Sequence, residues 1–178
     1  MKAPIIDIKR FAVHDGDGIR TTLFLKGCSL KCVWCHNPEG IGFAPQLAYY
    51  PDKCIRCGEC IEVCAAGAHK ITDGMHSFDR TRCVGCGKCE SACLGRALTF
   101  YGREMTVDEV LPKLLEDRDF YESSNGGVTL SGGECLMHAD FCAELLKKLK
   151  DEGIRTAVDT CGRGPRSAFD KTMPYTDI

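Results

Sequence analysis

Thr21-Thr22-Leu23-Phe24-Leu25-Lys26-Gly27 runs directly into Cys28-Ser29-Leu30-Lys31-Cys32-Val33-Trp34-Cys35. The first seven residues form a short β-prone run stopped by glycine. Three cysteines spaced C-x3-C-x2-C therefore sit on the loop that leaves a strand. Three thiolates can hold three irons of a 4Fe–4S cube and leave the fourth without a protein ligand. The next cysteine, Cys54, belongs to a different pattern.

Downstream, helix and strand signals alternate. Thr106 and Glu109 form a capping box that opens a helix, with Val107, Val110, Leu111, Leu114 and Leu115 on its apolar face. Pro112 lies inside that pattern and should kink the helix or cost it one backbone bond. Asn125-Gly126-Gly127 is a turn signal before the strand Val128-Thr129-Leu130. A second helix is expected from about His138 to Asp151, stopped by Gly153, and the strand Arg155 to Asp159 follows. Arg166 to Met173 reads as a further helix ended by Pro174. The order βαβαβ marks a parallel sheet with helices outside. Ligands of such sheets bind at the carboxyl ends of the strands. Cys28, Gly132-Gly133-Glu134 and Asp159-Thr160 all fall there.

Between these parts lies a second cysteine pattern. Cys54, Cys57, Cys60 and Cys64 spell C-x2-C-x2-C-x3-C, and Cys83, Cys86, Cys89 and Cys93 repeat it. This is the spacing of two-cluster bacterial ferredoxins, in which the fourth cysteine serves the other cluster. The expected ligand sets are Cys54, Cys57, Cys60 with Cys93, and Cys83, Cys86, Cys89 with Cys64. Gly58 and Gly87 let the backbone wrap closely, while Ala65 and Leu94 stand where proline usually follows. Zinc is the alternative metal, disfavoured by the third cysteine of each run.

The first triad, with an aromatic residue before its last cysteine, resembles the signature of the radical S-adenosylmethionine (radical SAM) superfamily. Gly16, Gly18-Ile19-Arg20-Thr21, Lys26-Gly27-Cys28 and Trp34-Cys35-His36-Asn37-Pro38-Glu39 resemble the activating enzymes of glycyl radical enzymes in particular. Gly132-Gly133-Glu134 is similar to that family's GGE motif, with Cys135 in place of its usual proline. The resemblance implies that the open iron at Cys28, Cys32 and Cys35 takes the amino and carboxylate groups of S-adenosylmethionine. One electron then cleaves the cofactor to methionine and a 5′-deoxyadenosyl radical, which abstracts the α-hydrogen of a glycine in the partner enzyme. Gly132 and Gly133 would let the backbone approach the methionyl group. Glu134 and Asp159-Thr160 would help hold the cofactor, with a monovalent cation at the latter. Trp34 is divided evenly between ordinary burial and a place beside the adenine. Cys135, Cys142 and Cys161 are left over and read as unligated.

The implied fold class is α/β: the N-terminal part of a partial (β/α) barrel of radical SAM type, carrying an inserted two-cluster ferredoxin-like domain. The division is 1–46 and 102–178 for the barrel and 47–101 for the insert. The family continues past Tyr175-Thr176-Asp177-Ile178 to complete the cofactor site, so the chain reads as truncated. Expected cofactors are three 4Fe–4S clusters and S-adenosylmethionine. Expected partners are a glycyl radical enzyme and a flavodoxin or ferredoxin donor. The rivals are a ferredoxin-like electron carrier and a radical SAM enzyme acting on another substrate. The first triad could also be a zinc or closed-cluster site completed by a distant cysteine.

Composition fits this picture. The 178 residues include 14 cysteines and carry a formal charge of −2 with both signs mixed, no footprint for nucleic acid. No signal-peptide stretch or membrane-length apolar run is present. The cysteines are thus expected to hold metal in the cytoplasm rather than form disulfides.

Overall fold

The computed structural model describes residues 1–178. In chain order the elements are β1 (Lys2–Ala12), β2 (Arg20–Leu25), β3 (Gln46–Tyr49), α1 (Glu59–Glu62), β4 (His69–Thr72), β5 (Met75–Phe78), α2 (Lys88–Ala92) and β6 (Leu98–Tyr101). They continue with β7 (Arg103–Thr106), α3 (Val107–Leu115), α4 (Arg118–Ser124), β8 (Gly127–Gly132), α5 (Ala139–Asp151), β9 (Thr156–Val158) and α6 (Arg166–Thr172). The chain forms two compact units: residues 1–44 with 102–178, and residues 45–101. The insert thus begins two residues earlier than its cysteine pattern indicates, because Gln46 opens β3 and pairs with Tyr101. No helix is long and apolar enough to cross a membrane.

The larger unit is a five-stranded sheet ordered β7-β1-β2-β8-β9. β2, β8 and β9 run parallel, with Leu23 opposite Leu130 and Leu130 opposite Val158. β1 joins antiparallel to β2 and to β7, two pairings the sequence pattern does not show. Side chains of alternate residues point to opposite faces. Leu23, Leu25, Val128 and Leu130 share one buried apolar cluster with Val107, Val110 and Leu114 of α3 and Phe141, Leu145, Leu146 and Leu149 of α5. The opposite face carries Arg20, Thr22, Thr129 and Ser131, with Phe24 its one apolar member. Arg20, fully buried, donates to Thr129 Oγ1 at 2.7 Å and to the Val128 carbonyl at 2.8 Å. Thr22 Oγ1 donates to Asp15 Oδ2 (2.6 Å) and Thr129 Oγ1 to the Asp15 carbonyl (2.7 Å), which pins the β1–β2 loop across this face.

α3 opens on the expected capping box: Glu109 N–H donates to Thr106 Oγ1 and Thr106 N–H to Glu109 Oε2. Pro112 stays inside the helix. At the other end of the chain, Ile178 N–H donates to the Thr156 carbonyl and Val158 N–H to the Ile178 carbonyl, so the last residues lie along the edge of β9.

The smaller unit has a 29-residue internal repeat. β3, Cys54–Cys64 and β4 recur as β5, Cys83–Cys93 and β6. Equivalent strands exchange partners: β3 pairs with β6, and β4 with β5 through an Asp73-Gly74 turn. Both turn residues have positive φ (50° and 71°), the type I′ signature.

Candidate metal centres

The first triad is a loop closed at its neck. Gly27 N–H donates to the Gly40 carbonyl (2.7 Å) and Cys28 N–H to the Ile41 carbonyl (3.0 Å). Cys28, Cys32 and Cys35 are half-buried free thiols. Leu30 N–H points at Cys28 Sγ at 3.4 Å. Trp34 is 81% exposed and packs against no buried cluster of this chain. Below the loop, Lys26 is fully buried and its ammonium donates to the Glu39 carbonyl. Burial pushes the Lys26 pKa down, and the Glu39 carboxylate opposes this. His138 Nε2 lies 2.6 Å from the Lys26 carbonyl, which can only accept, so that nitrogen carries the proton.

The end of β8 continues the parallel ladder past β2. Gly133 N–H donates to the Leu25 carbonyl and Glu134 N–H to the Gly27 carbonyl, each at 2.8 Å. Gly132 has φ +118°, and a Cβ there would lie 2.1 Å from the Leu25 oxygen. A Cβ on Gly133 would lie 2.5 Å from both the Gly27 and Gly40 oxygens. The glycine pair is therefore required by the chain's own backbone, whatever it does for a ligand.

Glu134 is 1% exposed and ties the ends of β8 and β9 together. Its carboxylate accepts from Leu136 N–H (2.9 Å), Thr160 Oγ1 (2.8 Å), Cys161 N–H (2.9 Å) and Cys161 Sγ (2.7 Å). This satisfies a buried charge without a cationic partner. Partial burial and the Glu134 contact push the Cys161 thiol up to about 11, with the Cys28 sulfur adding to the effect. Asp159 has different partners: Oδ2 accepts from Ser131 Oγ at 2.7 Å, and the residue lines an open cavity with His14, Asp15, Thr129, Val158 and Ile178. The sequence presents Asp159-Thr160 as a pair, and the structure separates their contacts. Cys135 and Cys142 are fully buried; burial pushes the Cys142 thiol up to about 12 and the Cys135 thiol up strongly. Such thiols are inert.

In the insert, the two cysteine runs exchange their last members. One cavity is lined by Cys54, Cys57, Cys60 and Cys93, the other by Cys64, Cys83, Cys86 and Cys89. Ala68 N–H points at Cys64 Sγ (3.3 Å) and Ala97 N–H at Cys93 Sγ (3.2 Å), one interaction repeated at the 29-residue offset. Burial pushes the Cys89 thiol up to about 11, and Cys64, Cys83 and Cys86 add repulsion. Burial likewise raises Cys60, reinforced by Cys93, Cys54 and Cys57. Mutually repelling thiols gathered round one cavity fit a cationic metal centre, which favours their deprotonation.

The sequence reading does not single out His69, His76, His14 or Asp15. His69 Nδ1 and His76 Nε2 are 3.1 Å apart, and His76 Nε2 is 3.4 Å from Cys60 Sγ. Burial lowers the pKa of both imidazoles. The available signal was the Asp73-Gly74 turn between the two histidines, which brings the strands together.

Comparison with known proteins agrees with this geometry. Residues 45–98 match the 4Fe-4S dicluster domain family, and residues 78–163 match a 4Fe-4S single cluster domain family. The class is thus an iron–sulfur protein of mixed α/β structure. A (2S)-3-sulfopropanediol sulfolyase activating enzyme of Bilophila wadsworthia is 44% identical over 97% of this chain and 58% of its own length. The benzylsuccinate synthase activating enzyme of Thauera aromatica is 46% identical over 90% of this chain and 50% of its own. The trans-4-hydroxy-L-proline dehydratase activating enzyme of Clostridioides difficile is 39% identical over 100% of this chain and 59% of its own. The chain is therefore a homologue of the glycyl radical enzyme activating enzymes. It spans between half and three-fifths of the length of these relatives.

Proposed function

We propose that this chain provides the cluster-bearing part of a radical SAM activase that installs a glycyl radical on a partner enzyme. The observation that carries the reading is the three-thiol loop of Cys28, Cys32 and Cys35, closed onto the strand ends where Gly133 and Glu134 meet Gly27. A set of three thiols suits a 4Fe–4S cluster with one iron left for S-adenosylmethionine. When bound, that pair supplies a one-electron cleavage of the cofactor and the radical that removes the glycine α-hydrogen.

The chain's own residues position the reaction. The neck bonds at Gly27 and Cys28 hold the thiols at the mouth of the sheet. Glu134 locks Thr160 and Cys161 beside them, its carboxylate accepting from the Thr160 hydroxyl and from the Cys161 N–H and thiol. Gly132, Gly133, Glu134 and Thr160 border the methionyl end of the cofactor, and exposed Trp34 is free to cover the adenine. Asp159 and Asp15 provide oxygens for a monovalent cation. The polar face of β2 and β8 suits the interior of a partial (β/α) barrel completed by further residues. In the insert, Cys54, Cys57, Cys60 and Cys93 hold one 4Fe–4S cluster and Cys64, Cys83, Cys86 and Cys89 another. These two receive electrons from a flavodoxin or ferredoxin in the cytoplasm.

The test is low-temperature EPR on anaerobically loaded, dithionite-reduced protein, with and without S-adenosylmethionine. A cofactor-dependent change in one cluster signal, lost in Cys28→Ala while the insert signals persist, is expected. An unchanged spectrum, both here and in a chain extended to the length of its relatives, defeats the proposal.

A further inference from the structure

The 29-residue offset also matches the side chains that flank the two cysteine cavities. Ile71, His76 and Leu98 line the cavity of Cys54, Cys57, Cys60 and Cys93. Their counterparts Phe100, Leu47 and His69 line the other. Each cavity therefore has one histidine, but at non-equivalent places: His76 corresponds to Leu47, and His69 to Leu98. His76 Nε2 reaches Cys60 Sγ at 3.4 Å. Cys89, the counterpart of Cys60, is buried with Leu47 and Leu98 instead.

The chemistry of the pair assigns the proton. A ligating thiolate only accepts hydrogen bonds, so the contact with Cys60 requires the hydrogen on His76 Nε2. His76 Nδ1 is buried without a hydrogen-bond partner. The Nε2–H tautomer leaves a lone pair there, a smaller loss than an unpaired buried N–H donor. His69 holds the ring in place: its unprotonated Nδ1 shares the His76 Nε2 hydrogen at 3.1 Å, the two rings stack at 5.2 Å and 27°, and Phe78 stacks on His69 at 4.9 Å.

An N–H donated to a cluster sulfur stabilises the more negative, reduced state and raises its potential. A leucine donates nothing. We infer that His76, held by His69, sets the potential of the cluster at Cys54, Cys57, Cys60 and Cys93 above that of its twin. The inference rests on the proposed reading that both cavities take 4Fe–4S clusters. One electron from a low-potential donor then resides preferentially beside His76, the donor being oxidised by one electron and the cluster reduced by one. His76 and His69 are positioning residues; neither is a ligand.

The experiment is an EPR-monitored redox titration of the whole chain carrying Cys28→Ala, Cys32→Ala and Cys35→Ala, with iron and sulfide assayed in parallel. Two midpoints are expected. His76→Leu lowers the upper one by at least a tenfold change in the reduction equilibrium, about 59 mV for a one-electron couple, and leaves the lower unmoved. His76→Gln, which keeps an N–H, holds the upper midpoint near its original value. Leu47→His raises the lower midpoint, and these last two variants carry the test should His76→Leu not load. If loaded variants move neither midpoint, or move both together, the inference is overturned and the two-cluster reading stands. If the parent binds no iron in the insert, both fall.

Discussion

The larger unit and the insert reach order by different means. Nineteen buried apolar side chains form one cluster between the sheet and its helices, whereas the insert buries only Leu47, Cys89 and Leu98 in its own. Each ordered residue costs about 1–2 kcal/mol of backbone entropy, which three side chains cannot offset over residues 45–101. The larger unit is a fold that carries a site. The insert is a pair of sites that holds a fold, as small metal domains are.

The strongest challenge to that contrast is Cys93→Ala. It should abolish the cluster of Cys54, Cys57 and Cys60, which lies in the other repeat, and lower hydrogen-exchange protection throughout residues 45–101. Protection of β2, β8 and α5 should not change. A cluster lost instead from Cys83, Cys86 and Cys89 would refute the crossed sets.

Gly132→Ala addresses the opposite side. Its Cβ would meet the Leu25 oxygen at 2.1 Å from a left-handed backbone, so the sheet should lose ~3 kcal/mol or more in urea unfolding. Iron bound by the insert should stay constant. Equal loss in both units would mean that they do not order separately.

The smallest effect concerns Asp117, 1% exposed, which accepts from Arg10 Nε (2.8 Å) and Thr21 Oγ1 (2.7 Å) and so ties β1 and β2 to the start of α4. Arg10 chiefly holds its carboxyl below the ordinary range, against the opposing effect of burial, and Thr21 adds to the lowering. Asp117→Asn should cost about 2 kcal/mol, less than a fully buried pair because Arg10 is 42% exposed. A carboxyl with a lower folded pKa adds stability above its unfolded value near 4 and loses it as pH falls through the folded one. The gap between the two proteins, measured by urea unfolding, should therefore close in acid. A gap independent of pH would mean that the carboxylate charge contributes nothing.

Local rules made much of this legible. The three parallel strands, the capping box at Thr106 and the helix over residues 139–151 follow from periodicity and caps. The exchange of Cys64 and Cys93 follows from spacing, and the two cavities contain those sets. What remained hidden depends on distant chain. β1 mixes Pro4 and several charges into its run, and its strand character comes from partners on both sides. Glu134 reads as part of a glycine turn, while three of its four named contacts come from Thr160 and Cys161. The glycines were visible, but the collisions that demand them involve Leu25 for Gly132 and Gly27 and Gly40 for Gly133, all far earlier in the chain.

The exchanged cysteines also constrain the order of events on a ribosome. Cys60 is made well before Cys93, yet they line one cavity. Until nearly the whole insert has been synthesised, neither four-thiol cavity exists, and any iron that arrives early meets only the first run, whose Cys64 belongs to the other cavity. Assembly of the insert is therefore a late event with no half-built stopping point, and a chain interrupted between the repeats would expose incomplete thiol sets to oxidation.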